Sequence, residues 1–168
     1  MDTLEFALPF ILALLAGILV KAVDWMDDDR KTSHPSKYVL AATYGLAIGY
    51  IIGTANFSVL FLAALVAQVF ARKIDTPAHQ LGFAVAVVSL FAFGFPQIDI
   101  AVFVFFVALA FLDEIALADA LKPFADYRLF LKCGALVMLA SGRWDYLAAI
   151  LLFDGAYMLF ERIAKCIK

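Results

Sequence analysis

Seven apolar runs alternate with short polar breaks along the chain, at residues 6–23, 38–54, 57–71, 81–95, 100–112, 129–141 and 146–160. The breaks read DWMDDDRKTSHPSK, GTAN, RKIDTPAHQ, PQID, DEIALADALKPFADYR and SGRWD. They carry the Pro, Gly, Asn, Asp and Ser that punctuate helices. This pattern predicts an all-α fold: a polytopic membrane helix bundle of about seven short transmembrane helices, one domain over 1–168. A span usually needs about 20 residues, and about 17 can suffice. The shorter runs would need snorkelling Lys or Arg, or a locally thinned bilayer. Runs 100–112 and 129–141 are the shortest, so five or six spans would also accommodate the pattern. The opening residues MDTLEF are acidic, so run 6–23 reads as a retained span and not as a cleaved leader.

Composition strengthens the membrane reading. Hydrophobic residues make up 65% of the chain, against about 45–50% in an average soluble domain. Mean hydropathy is +0.96. A soluble protein of this size could not hide so much apolar surface. A net charge of −2 points to no nucleic-acid partner. Cys133 and Cys166 form no disulfide framework or zinc pattern. If the spans alternate with the N-terminus outside, every Lys and Arg except Arg143 falls on one face. The positive-inside rule makes that face, and the C-terminus, cytoplasmic.

A shift of 89 residues lays Asp24 on Asp113, Tyr38 on Tyr127, Gly45 on Gly134 and Gly53 on Gly142. A 3+1+3 repeat would explain this, with halves 5–75 and 94–164 joined by a linker span at 81–95. Three spans plus one linker restore the original orientation, so such a repeat would be parallel.

The charged face gathers most of the acids. In KAVDWMDDDR, Asp24 precedes Asp27 and Asp28 by three and four residues. On an α-helix extended one turn past the membrane these share a face. Carboxylates so placed can hold Mg²⁺, a hard cation that shares oxygen ligands with substrate phosphates. A solvated acidic loop balanced by Arg30 and Lys31 is the plainer alternative. Lys21 lies one turn earlier and could touch a phosphate. The second-half loop carries Asp113, Glu114, Asp119 and Asp126, with Arg128 and Lys132 as candidate phosphate binders. Asp75 and His79, four apart across Pro77, could be an acid–base pair or a turn that caps the next helix. Asp154 stands mid-run in LLFDGAY, where an embedded acid marks a functional hypothesis. Gly45, Gly49 and Gly53 form a small-residue stripe suited to helix packing.

Two acidic loops, each at the inner end of a span and four spans apart, resemble the plan of the UbiA superfamily of membrane prenyltransferases. VDWMDDDRK is similar to that family's first Asp-rich motif, with Asp24 and Asp27 in the D-x-x-D positions. DEIALAD stands where the second would fall, with Asp113 and Asp119 the nearest matches. Val23 replaces the family's Asn, the second spacing differs and the chain is far shorter. The resemblance implies a Mg²⁺-bound prenyl diphosphate as substrate.

The leading expectation is therefore an integral membrane enzyme acting on a lipid-linked phosphate or diphosphate, a prenyl one included. Its metal would be held by Asp24, Asp27, Asp28 and Asp113. Asp24, Asp27, Asp113 and Asp154 are the catalytic candidates, and Lys21, His79, Arg128 and Lys132 the substrate-binding ones. The alternatives are a small transporter or channel that uses Asp154, and an assembly subunit with no site of its own.

Overall fold

The computed structural model describes residues 3–29, 34–115 and 127–166. Among these the chain is all-helical, and each of the seven apolar runs is a helix. They are α1 (Thr3–Asp24), α2 (Ser36–Thr54), α3 (Ser58–Phe70), α4 (Pro77–Phe93), α5 (Ile100–Glu114), α6 (Leu129–Ala140) and α7 (Trp144–Cys166). The polar breaks set the boundaries. Asp99 accepts from the backbone N–H of Ala101 and Val102, at 2.9 and 3.2 Å, and so caps α5. Thr76 caps α4 through the N–H of His79, with Pro77 in the first turn, where its missing N–H costs nothing. Gly94 and Gly142 take positive φ where α4 and α6 end.

Helix α1 packs on α2 and α7, α2 also on α3 and α4, α3 on α5, α5 on α6, and α6 on α7. Six helices thus close a ring, with α4 against α2. The neighbour pattern α1–α2, α2–α3, α3–α5 is matched by α5–α6, α6–α7, α7–α1. Small residues bring the axes together. A Cβ at Gly17 would collide with the Phe153 carbonyl of α7, and one at Gly45 with the Gly82 carbonyl of α4. Phe57, Leu60, Ile51, Ile52, Phe106 and Val23 fill the interior.

The outer surface is strongly apolar, with Phe91 78%, Ile100 75% and Val39 66% exposed. Among the described residues one helix, Leu4–Asp28, is long and apolar enough to cross a membrane by length and composition, and only 33% of its apolar window is buried. That is unlike a soluble protein's core helix, which is covered on most sides. Helices α3, α4 and α6 are shorter, with 13, 17 and 12 residues.

Candidate functional site

Helix α1 does not continue as an α-helix through its acidic end. Residues Trp25–Asp29 form a π-helical turn, which adds a residue to each hydrogen-bonded turn. The single carboxylate face expected for Asp24, Asp27 and Asp28 is therefore split. Asp24 looks across the bundle to α4 and α7. Its Oδ1 lies 2.8 Å from His79 Nε2, and its Oδ2 accepts from the Tyr157 hydroxyl at 2.7 Å. Asp27 instead meets Lys37 of α2 at 2.6 Å.

A chain of contacts runs through Asp24. The Tyr44 hydroxyl is 2.9 Å from His79 Nδ1. It reaches there because Gly82, one turn beyond His79, has no side chain: a Cβ would strike the Tyr44 ring and hydroxyl. Lys21 donates to the Tyr157 hydroxyl at 3.3 Å and lies 3.8 Å from Glu161. Burial opposes charge on His79. The Asp24 carboxylate, reinforced by Asp27 and Asp75, outweighs it and leaves the imidazole pKa raised.

Asp24, Asp27, Tyr44, His79 and Tyr157 line a cavity of about 380 Å³ at the charged end, together with Asp28, Asp75, Glu114 and Arg128, and Lys21 is absent from the lining. An apolar slot of about 50 Å³ between α2, α3, α6 and α7 adjoins it, and Ile48, Leu65, Gln68, Arg128 and Phe153 line both. Arg128 is placed by an unusual backbone. It precedes α6 with φ 49° and ψ 44°, the left-handed region that L-residues seldom adopt. Its guanidinium lies 5.5 Å from the ring centroids of Phe153 and Tyr157.

The remaining candidates sit elsewhere. Asp113 is absent from the cavity lining. Both its oxygens accept backbone N–H groups at the start of α6, from Phe130 at 3.2 Å and Leu131 at 2.9 Å. The four acids expected to share a metal are therefore not brought together. Among the described residues no group of three or more His, Cys, Asp or Glu is placed to hold one ion. Asp119 of the second acidic motif lies outside the described residues. Asp154 is buried, but it is no lone acid: Lys132 lies 2.9 Å and Arg128 3.4 Å away. Its partners are these cations of α6 and its preceding turn, because α6 starts level with the middle of α7.

Sequence reasoning missed Tyr44 and Tyr157 as partners of the His79–Asp24 pair, and Glu114 and Gln68 as cavity walls. Tyrosines in apolar helices give no local signal. Only the bundle shows which face inward.

No family model, curated protein or solved structure matches the chain.

Proposed function

We propose that the chain is a multi-pass membrane enzyme acting on a lipid-linked phosphate or diphosphate, with the charged end cytoplasmic and the C-terminus on that side. The observation that carries this is the joined pair of cavities. One is polar and walled by acids, His79 and Arg128; the other is apolar; and Arg128 stands at their junction. That arrangement suits an amphiphile whose phosphate sits in the polar part while the first carbons of its chain meet the small apolar slot. The apolar outer surface supports several membrane-crossing helices.

Asp27 supports a metal-assisted reading. Its side chain is 9% exposed, and its Oδ2 is buried with no hydrogen-bond partner. A buried carboxylate oxygen left so is costly. Mg²⁺ commonly uses one or two protein carboxylates and completes its shell with substrate phosphates and water. Asp27 and Asp28 would hold it, and Asp24 and Asp113 would not. The ion would offset charge on a departing phosphate or diphosphate. Arg128 would orient a phosphate oxygen, and the His79–Asp24 pair, with Tyr44, would hold or accept a proton in the cavity. The transporter reading rested on a lone intramembrane acid. Asp154, paired with two cations, supports it less.

The test is thermal stability of the detergent-purified protein with Mg²⁺, with and without a non-hydrolysable prenyl diphosphate. A ligand at 100 times its Kd stabilises the folded state by about 2.7 kcal/mol. The expected shift needs both components and disappears in Asp27→Asn. A protein indifferent to both would refute the reading.

A further inference from the structure

A second polar cavity, of about 170 Å³, lies behind Arg128 and Tyr157. Among the described residues its charge is the reverse of the first. The larger cavity has Asp24, Asp27, Asp28, Asp75 and Glu114 against Lys73, Arg128 and His79. The smaller has Arg128, Arg162 and Lys165 against Asp154 and Glu161. Arg128 and Tyr157 line both. The guanidinium spans the wall: Nη2 points to Glu114 of the first cavity at 3.9 Å, and Nη1 to Asp154 of the second at 3.4 Å. Both contacts are long for charge-assisted bonds, which run at about 2.7–2.9 Å. The fork is therefore held between two carboxylates without being saturated by either. Lys132, at 2.9 Å, and not Arg128, makes the close ion pair with Asp154.

We propose that this smaller cavity is a phosphate-binding site that takes a phosphate group without a metal ion. The first cavity is too acidic to accept a bare phosphate. The second has one more cation than acid among its described lining residues, with Lys165 paired to Glu161 at 2.6 Å, and its planar guanidinium groups, Arg128 and Arg162, suit phosphate oxygens in pairs. The phosphate can belong to a free ion or to a lipid headgroup. The site shares Arg128 with the reaction proposed above but needs neither Mg²⁺ nor Asp27.

The test uses the full chain in detergent, with chelator present and ionic strength held constant. Thermal stability is titrated with inorganic phosphate and, separately, with short-chain phosphatidic acid. A saturable rise is expected, with the apparent Kd weakened roughly tenfold in the double variant Arg162→Gln, Lys165→Gln and unchanged in Asp27→Asn. Both substitutions lie on the exposed side of α7, so the fold should persist. Response to inorganic phosphate supports the site for free phosphate groups, and response to the lipid alone supports it for a headgroup. No saturable response to either would overturn the proposal. So would a response that survives the double variant or vanishes in Asp27→Asn.

Discussion

Asp24 and Asp113 stand at the ends of α1 and α5, yet they meet different neighbours. Asp113 binds backbone: the N–H groups of Phe130 and Leu131, which open α6 against it. Asp24 binds side chains: His79 and Tyr157. The helices around them explain the divergence. In the second half α6 begins at Leu129, beside the end of α5, and its unsatisfied N–H groups need an acceptor. In the first half α2 already begins at Ser36, and α4 supplies His79 instead. A carboxylate held by backbone donors caps a helix, whereas Asp24, held by titratable side chains, opens on the cavity.

The same contrast holds for the paired glycines, and there the largest effect is expected. A Cβ at Gly45 would collide with the Gly82 carbonyl, which cannot move without shifting α4. One at Gly134 would meet the tip of Leu109, which can change rotamer. Gly45→Ala should destabilise by about 3 kcal/mol, near the upper end for overpacking. Gly134→Ala should come within about 1 kcal/mol of neutral, since gained helix propensity offsets the crowding. Unfolding midpoints of the two variants, compared in one detergent, would reveal whether the two glycine contacts differ as much as the backbone indicates. Equal losses would erase the contrast.

What could be read beforehand follows the same division between local and cross-bundle information. The apolar runs and their Pro, Gly and Asp punctuation are local, and all seven became helices at close to the expected bounds. Asp24, Asp27, Asp28, His79 and Arg128 were identified, and the cavity collects them. The π-turn was not legible, because WMDDD carries no pattern that distinguishes it from another α-turn. Nor was the difference between Asp24 and Asp113. Both follow an apolar helix, and only the starting point of the next helix decides which becomes a cap. Asp154 looked isolated because its cations lie a whole helix earlier in the chain.

Removing one oxygen from Asp113 should have the next largest effect. Asp113→Asn leaves a single acceptor for two buried N–H groups and should cost about 1–2 kcal/mol, the range of a lost helix cap. Any response to Mg²⁺ and lipid diphosphate should survive. Asp24→Asn should reduce that response, by releasing His79 and Tyr157 from their shared partner. Parallel melts of the two variants, with and without ligand, would break the comparison if both lost ligand response equally.

The smallest effect, and the sharpest separation of the two acids, lies in pH dependence. Burial pushes Asp113 up to about 6, against the pull of its two N–H bonds. An acid raised above its unfolded value of about 3.9 favours folding most when protonated, so its contribution fades between about pH 4 and 6. His79 is also raised, from an unfolded value of about 6.5. Its pairing with Asp24 stabilises the protein fully below that value and is lost as pH rises through the higher folded value. The melting temperature should therefore fall in two steps. Asp113→Asn should delete the acidic step and keep the upper one, while His79→Gln should do the reverse. If His79→Gln left the upper step intact, the His79–Asp24 pair would not be the group that titrates there. Asp24 would then lose its claim to a protonatable partner, and with it the main physical difference from Asp113.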